Sequence, residues 1–225
     1  MPRSRRFIPV DSALHIMCRG NNRQNVFNND SDKLYYWRLL NELKDENKIN
    51  IFHYCIMDNH VHMIVWVSCA SRLSKFMKQL SLSYFNYYKK LYGYWGHIWQ
   101  GRFKSNVIQT DNYLLHCGKY IELNPVRAGI VILPCEYAFS SYKHYSLGHE
   151  DALVSDSPAF LGLSDDSIKR RGQYIAFVID SDIINADSLA RQAFIGSKDF
   201  ITKLRQYYGI KETNSKGGRP KKEKT

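Results

Sequence analysis

The chain has 225 residues, of which 44% are hydrophobic and 14% aromatic, and its formal net charge is +11. This length allows one domain with an extension, or two small domains, and the hydrophobic content argues against a disordered chain. No apolar run approaches the roughly 20 residues of a membrane helix, and the basic start lacks the apolar core of a signal peptide. We therefore expect a cytoplasmic protein with no membrane partner.

The positive charge is the first indication of a partner. The 32 Lys and Arg against 21 Asp and Glu favour a polyanion, chiefly nucleic acid, and 16 Tyr provide rings on which bases can stack. Ribosome-associated and membrane-surface proteins share such a composition, so charge alone does not select among these classes. Five scattered cysteines without a CxxC pair predict buried free thiols rather than a disulfide framework or a zinc ribbon.

The first predicted strand, residues 13–19, ends in a loop of turn-forming residues, 20–23. Asp30 or Ser31 is the candidate N-cap of the first helix. The apolar residues of this helix recur at helical intervals and are Leu34, Trp37, Leu40 and Leu43.

Two predicted strands follow in succession, residues 49–57 and 60–67, joined by a two-residue turn. A long amphipathic helix is predicted over residues 71–91. Its apolar stripe comprises Leu73, Phe76, Met77, Leu80, Tyr84, Tyr87 and Leu91. Residues 97–109 are predicted to form an irregular strand pair.

The next helix is predicted to begin at Asn112, after an N-cap at Asp111, and to be stopped by Pro125. The resulting order β-α-β-β-α-β-α predicts an α+β protein with a ferredoxin-like (RRM-like) antiparallel sheet and helices on one face. We assign this first domain to residues 1–145.

The composition changes after about residue 145, where the chain becomes acidic. We predict a helical C-terminal extension over residues 146–210 that contains two or three short amphipathic helices. Residues 214–225 carry five basic side chains against one acidic side chain. Such a low-complexity basic segment predicts a disordered tail over residues 211–225.

His60 and His62 stand two apart on a predicted strand, so both imidazoles project from one face. Two neutral imidazoles side by side on a rigid strand are suitable metal ligands. The plain alternative is one core histidine and one surface histidine. Two enzyme classes that share this pair are disfavoured. A histidine-triad hydrolase needs a third histidine where this chain has Ile64, and a two-histidine phosphoesterase needs two copies of its motif.

A second group of candidates lies on the helix that Pro125 stops. Tyr120 and Asn124 are one turn apart and can point into the same pocket. A phenol, with a pKa of about 10, needs a metal or a base to act as a nucleophile. The amide oxygen of Asn124 is a hard ligand suited to Mg²⁺ or Mn²⁺. His116 is a candidate auxiliary residue for phosphate orientation or proton transfer, while the plain alternative is that Tyr120 merely packs the helix against the sheet.

Four stretches of the sequence carry a family resemblance: residues 19–23 (RGNNR), 57–62 (MDNHVH), 99–103 (WQGRF) and 120–128 (YIELNPVRA). Together they resemble the single-tyrosine (Y1) HUH transposases of the IS200/IS605 type, in particular the REP-associated tyrosine transposase branch, which serves palindromic repeats in bacterial chromosomes. The likeness spans about residues 13–145. Any one stretch is weak, but four in this order are specific.

The resemblance implies a metal-dependent single-stranded DNA endonuclease and strand transferase that forms a 5′-phosphotyrosine and acts on hairpin DNA in transposition. It implies His60 and His62 as metal ligands on a central strand, with Mg²⁺ or Mn²⁺ as the cofactor. It further implies Tyr120 as the nucleophile and Asn124 as the third ligand. Asn124 stands where insertion-sequence members usually carry Gln, and Asp58 stands where Pro is frequent.

Aromatic and basic side chains supply candidates for DNA binding. Residues 99–104 interleave rings with cations, a pattern that suits base stacking and phosphate contact, although such rings also suit a core. The candidates are Arg19, Arg23, Trp99, Arg102, Phe103, Lys104 and Arg127. In the tail, Gly218-Arg219-Pro220 resembles an AT-hook core, so Arg219 is a candidate for a narrow A·T minor groove.

Two other functions stay open at this point. A domesticated hairpin DNA-binding protein would keep the fold without cutting. An RNA-binding module of the RRM type would share the topology, but it would carry aromatics on the central strands where this chain has His60 and His62. Single-stranded or hairpin DNA is the expected partner, the expected location is the nucleoid, and both monomer and homodimer agree with the resemblance.

Overall fold

The computed structural model describes residues 7–109, 112–180 and 194–208. Its strands are β1 (Ser12–Arg19), β2 (Asn50–Met57), β3 (His60–Val67), β4 (Lys104–Ile108) and β5 (Phe194–Ile195). Its helices are α1 (Asp30–Asn47), α2 (Ala70–Tyr92), α3 (Asn112–Glu122), α4 (Asn124–Arg127), α5 (Tyr142–Leu147), α6 (Pro158–Leu161), α7 (Ser167–Ile179) and α8 (Lys198–Tyr208).

The strands form one sheet in the order β2-β3-β1-β4-β5. The first four pair antiparallel, and β5 lies parallel to β4. The predicted α+β class and the order β-α-β-β-α-β-α from β1 to α3 are therefore confirmed. None of the helices in the described residues is long and apolar enough to cross a membrane.

Helices cover both faces of the sheet. On one face, Leu14 and Met63 belong to the main core, which α1 and α2 complete. On the other face, Ile64 packs with Cys117 and Ile121 of α3. Because side chains alternate along a strand, His60 and His62 project from the α3 face. The helix that carries Tyr120 is thus the helix that covers the histidine pair.

The first helix begins one residue earlier than a cap at Asp30 predicts, and two residues earlier than a cap at Ser31 predicts. Its N-cap is Asn29, whose side chain accepts a hydrogen bond from the Asp32 backbone N–H at 3.0 Å. Asp30 and Ser31, the predicted caps, lie inside the first turn. Several consecutive residues here can cap a helix, and the direction from which the chain enters decides among them.

The predicted strand pair over residues 97–109 is wrong in part. Only β4 forms a strand, and Trp99 makes an isolated bridge with Gly20. The Trp99 ring packs between Tyr36 and Tyr84, with ring centroids 6.0 and 5.9 Å away. This segment is therefore a loop that the main core anchors through an aromatic side chain.

The described residues beyond 145, which are 146–180 and 194–208, include segments that pack against the sheet and α3. Helices α7 and α8 agree with the predicted short helices, whereas β5 has no sequence signal because two residues show no periodicity. Strand β5 extends the sheet beside β4, and Lys119 of α3 donates hydrogen bonds to carbonyls at the end of α7. The Asp111 cap, the tail 211–225 and Arg219 lie outside the described residues.

Candidate active site

The two histidines lie at the start of β3, which is flanked by β2 and β1 in the sheet. His62 is 2% exposed and His60 is partly buried. Their ring centroids are 5.0 Å apart and the ring planes are nearly perpendicular, at 89°. Imidazole nitrogens bind metal ions at about 2.0–2.1 Å, so rings at this separation can reach one ion.

Each histidine has its Nδ1 atom engaged by a neighbour. The His60 Nδ1 lies 2.5 Å from the side-chain oxygen of Asn59, and the His62 Nδ1 lies 2.8 Å from the Nε2 of His15. The Nε2 atoms of His60 and His62 are therefore the nitrogens left to bind a ligand. A ligating histidine is typically held in this way by a second hydrogen bond to its other nitrogen.

Burial keeps these imidazoles neutral near pH 7. It lowers the pKa of His60 to about 4, an effect that Arg19 reinforces and Asp58 opposes. Burial lowers the pKa of His62 well below its usual value, and the neighbouring His15, His60, Arg19 and Arg127 lower it further. Neutral imidazoles keep the lone pair that a metal requires.

Tyr120 lies beside the histidine pair. Its ring centroid is 5.7 Å from that of His62 and 6.1 Å from that of His15, and it meets both rings edge to face. The fold therefore brings the predicted nucleophile and a predicted metal ligand together within one chain. The roles of these residues remain predictions.

Arg127 lies directly on the Tyr120 ring. Its guanidinium carbon is 4.3 Å from the ring centroid, and its Nη2 donates a hydrogen bond to the Tyr120 backbone carbonyl. A cation over an aromatic face is stabilised by the ring quadrupole. The sequence predicted Arg127 as a phosphate contact, and the structure places its charge against the phenol ring.

The structure gives the other candidates of the tyrosine helix specific contacts. The Asn124 side chain donates to the backbone carbonyls of Tyr120 and Ile121, both at 3.1 Å, and so caps the end of α3. Its amide oxygen is not used in these bonds, and its predicted ligand role remains a prediction. The His116 ring meets Phe177 of α7 at 4.9 Å, and burial lowers its pKa.

A buried carboxylate supports the helix that carries Tyr120. Glu122 Oε1 accepts hydrogen bonds from His53 Nδ1 at 3.0 Å and Ser141 Oγ at 2.6 Å. Its Oε2 accepts from the Tyr174 hydroxyl at 2.6 Å. These partners belong to β2, to the start of α5 and to α7. Glu122 therefore holds α3 to three surrounding elements, two residues beyond the candidate nucleophile.

The one glycine of α3 is required for this packing. A Cβ atom at Gly118 would lie 2.6 Å from the nearest atom of the His53 ring. His53 is fully buried and cannot move away, because it is bonded to Glu122 and stacked on Tyr145 at 4.5 Å. Gly118 thus lets α3 approach the sheet closely enough to bring Tyr120 over the histidines.

Histidine and acidic side chains alone do not supply a complete set of metal ligands at this site. No group of three or more His, Cys, Asp or Glu side chains among the described residues is arranged to hold one. The Asp58 carboxylate is engaged by Lys33 at 2.8 Å. A metal here would rest on the His60 and His62 Nε2 atoms, with further ligands from an amide, water or phosphate oxygen.

The turn after β1 is tied to the histidine strand. Gly20 donates its backbone N–H to the Asn59 carbonyl at 2.8 Å, and the Asn59 side chain donates to the Arg23 carbonyl at 3.2 Å. A Cβ atom at Gly20 would lie 2.2 Å from the backbone oxygen of Gln24, so only glycine fits there. This turn exposes Arg23 beside the loop that leads into His60.

Four of the eight candidate DNA-binding residues line one groove of about 690 Å³ between α2 and the 96–103 loop. Its walls include the predicted residues Arg19, Trp99, Arg102 and Phe103 together with Lys78 and Phe85 of α2. Trp99 and Phe103 are partly buried against the main core, so these rings have a packing role. Arg19 also pairs with His60 across the β1–β3 ladder, and Lys104 pairs with Met17 across β1–β4.

Sequence reasoning missed His15 and Glu122. His15 lies on a strand that was predicted correctly, and period two places it on the same face as Arg19. Its contact with His62 depends on the β1–β3 register, which the sequence does not display. Glu122 carried a weaker signal, an acidic residue on an otherwise apolar helix face, and only the fold shows its three partners.

Comparison with known proteins agrees with this architecture. A protein of Haemophilus influenzae, named for REP-associated tyrosine transposases, is 28% identical in an alignment of 131 residues that covers 50% of this chain and 74% of that protein. A solved structure of a REP-associated tyrosine transposase bound to a REP hairpin superposes with a TM-score of 0.51 at 22% identity. The match covers 71% of this chain and 96% of the other, and at this identity it shows the fold.

The family model described as "Transposase IS200 like" matches residues 10–124. This range runs from the start of β1 to the candidate residue Asn124, and it includes the histidine pair and Tyr120. It spans more than half of the chain. The chain therefore belongs to the IS200-like family of Y1 tyrosine transposases.

Proposed function

We propose that this protein is a metal-dependent single-strand DNA endonuclease and strand transferase that acts on hairpin DNA, with Tyr120 as its nucleophile. The observation that carries the proposal is the 5.7 Å between the ring centroids of Tyr120 and His62, on two elements far apart in the chain. Hairpin DNA is proposed because the solved relative was bound to a REP hairpin.

His60 and His62 would hold the metal through their Nε2 atoms, with the Asn124 amide oxygen as a third ligand. Mg²⁺ or Mn²⁺ suits a mixed set of nitrogen and oxygen ligands with open positions for phosphate. When bound, such an ion would withdraw charge from the scissile phosphate. The neutral state of both imidazoles at pH 7 supports this assignment.

Cleavage would follow from the position of the phenol. The Tyr120 oxygen attacks phosphorus and loses its proton, while the bond from phosphorus to the 3′ oxygen breaks and that oxygen gains a proton. The products are a 5′-phosphotyrosine and a free 3′-OH. The phosphodiester energy is kept in the new bond, so a 3′-OH can later attack it and join strands without ATP.

The cations around the site fit a phosphate substrate. Arg127 lies on the Tyr120 ring, and Arg19 lies across the ladder from His60. Their charges would stabilise the extra negative charge on the phosphate as the fifth bond forms. Because Tyr120 and the histidines of one chain converge, we propose that a monomer completes its own active site.

The groove beside α2 would hold unpaired nucleotides or the hairpin stem. It is lined by basic and aromatic side chains and shares Arg19 with the active site. Basic grooves with rings suit a strand whose backbone is contacted by cations and whose bases stack. This surface therefore supports DNA binding next to the cleavage site.

The decisive test is an adduct assay. The protein is incubated with a single-stranded hairpin oligonucleotide and Mn²⁺, and a denaturation-resistant complex is sought on a gel. We expect an adduct in the wild type and in Tyr113→Phe, a matched tyrosine on the same helix. We expect none in Tyr120→Phe, and a strong reduction in His60→Ala.

The outcomes separate the candidate functions. An adduct that persists in Tyr120→Phe would show that a residue other than Tyr120 is the nucleophile. Hairpin binding without any adduct in the wild type would favour a domesticated binding protein. Size-exclusion chromatography of the active protein would test the proposed monomer, because activity found only in a dimer fraction contradicts it.

A further inference from the structure

His15 has no part in the proposed chemistry, yet it contacts His62, a proposed metal ligand. His15 of β1 is 1% exposed, and its Nε2 lies 2.8 Å from the Nδ1 of His62. The two rings are nearly parallel, at 16°, with centroids 5.0 Å apart. The Tyr120 ring stands edge-on to the same side chain.

The hydrogen bond between the two imidazoles constrains where the protons lie. Two neutral ring nitrogens facing each other share one proton, and the nitrogen that gives it is the donor. If His62 uses its Nε2 lone pair for a ligand, its proton must be on Nδ1. His62 is then the donor in this bond, and the Nε2 of His15 is the acceptor.

We propose that His15 is a positioning residue that holds His62 in the tautomer and orientation whose Nε2 lone pair faces the metal. The inference rests on the proposed function, since it assumes that His62 is a metal ligand. His15 does not touch the substrate or the metal. It acts through His62, as outer partners of ligating histidines do in other metal sites.

The other nitrogen of His15 argues against a packing role alone. Its Nδ1 is buried and has no hydrogen-bond partner among the described residues. In the proposed tautomer this nitrogen carries a proton that nothing accepts, which is unfavourable in a buried position. An apolar side chain of similar size would fill the space without that cost. The single bond to His62 is thus the feature that a histidine supplies here.

His60, the other histidine of the pair, also has its Nδ1 beside a hydrogen-bond acceptor. The His60 Nδ1 faces the side-chain oxygen of Asn59, which is an acceptor. Asn59 is the chain neighbour of His60, whereas His15 reaches His62 from the adjacent strand. Both Nδ1 atoms are therefore engaged by separate partners, and both Nε2 atoms remain for ligands.

Mn²⁺ affinity measured without DNA is the direct test. We would titrate Mn²⁺ into the full-length wild type and His15→Phe, following the free-ion signal by electron paramagnetic resonance. Phe keeps the volume and removes the acceptor. We expect the Kd for Mn²⁺ to rise about 10- to 100-fold, in line with other outer-partner substitutions. His15→Gln, whose amide oxygen can accept the proton, should recover most of this loss.

Controls separate this inference from the proposed function. Tyr120→Phe should bind Mn²⁺ as the wild type does while forming no adduct. A folded His15→Phe variant with wild-type Mn²⁺ affinity would overturn the role of His15, and so would a His15→Gln variant as weak as His15→Phe. If the wild type forms no adduct but the His15 variants still change the Mn²⁺ affinity as expected, only the nuclease proposal is contradicted.

A measurement on the wild type guards against misfolding of the variants. Long-range ¹⁵N–¹H correlation spectra distinguish the two histidine tautomers. We expect the His62 ring proton on Nδ1, both without metal and with Mg²⁺. A proton found on the Nε2 of His62 would contradict the proposal without any substitution.

Discussion

Glu122→Leu tests whether the buried carboxylate holds the tyrosine helix in place. The substitution removes the acceptor of three hydrogen bonds and leaves the donors of His53, Ser141 and Tyr174 buried without it. Hydrogen bonds to charged groups contribute about 1.5–3 kcal/mol each, but burying the carboxylate also carries a cost that the variant avoids. We expect a net loss of about 3–5 kcal/mol, as for a buried pair broken on one side.

Urea unfolding measures this loss. With a slope of about 2 kcal/mol per molar urea, the midpoint should fall by about 2 M while the slope stays constant. The urea midpoint of Glu122→Gln, which keeps the side-chain size and one acceptor, should lie between those of Glu122→Leu and the wild type. Glu46→Leu is the control, because that carboxylate bonds Lys75 and Gln79 on the exposed surface, and we expect its midpoint to stay near that of the wild type.

The result that would refute the reasoning is a Glu122→Leu midpoint equal to that of Glu46→Leu. That outcome would mean that the three donors find other partners or water. A midpoint loss accompanied by a changed slope would instead indicate an altered denatured or native state, and the estimate of about 3–5 kcal/mol would then not apply.

Three further predictions follow from single contacts. Burial lowers the pKa of His15 to about 4, below its unfolded value of about 6.5, so the unfolded chain binds more protons between these values. The contribution of His15 to the free energy of unfolding should therefore be constant above pH 7 and fall by up to about 3 kcal/mol toward pH 4, in addition to the contributions of His60 and His62. Urea midpoints measured at several pH values should accordingly fall less steeply toward pH 4 in His15→Phe than in the wild type. Arg127→Gln should slow single-turnover cleavage about 100-fold, because it removes a cation beside Tyr120 whose charge would stabilise the phosphate in the transition state, while hairpin affinity changes less; an unchanged rate with weakened binding would contradict this. In maleimide labelling of the folded protein, Cys69 should react before Cys55, because a neighbouring hydroxyl lowers the pKa of the first and burial raises that of the second. Equal labelling rates would contradict the assignment.

The local pattern of the site was predictable. His60 and His62 share a face because side chains alternate along a strand, and the sheet confirms the strand that carries them. The helix of Tyr120 and its end before Pro125 follow from spacing and from the missing proline N–H: α3 ends at Glu122, and Pro125 lies in the first turn of α4. These features depend on backbone geometry over a few residues, which the sequence displays directly.

Contacts between distant segments were not predictable in the same way. The predicted sheet placed helices on one face, and α3 on the opposite face is what covers the histidines with Tyr120. Trp99 was a candidate for base stacking, yet its ring lies among the tyrosines of the main core. Arg127 was a candidate for phosphate, yet it lies on the ring of the candidate nucleophile Tyr120, seven residues earlier in the chain.

The sequence by itself therefore determined the order of elements from β1 to α3, the face of the histidine pair and the position of the helix that carries Tyr120, since each is set by a pattern within one element. The tertiary structure alone decided that His15 bonds His62 and that Glu122 gathers partners from three elements. Strand register and the rotation of a helix about its axis set such contacts, and both emerge only when the whole core packs.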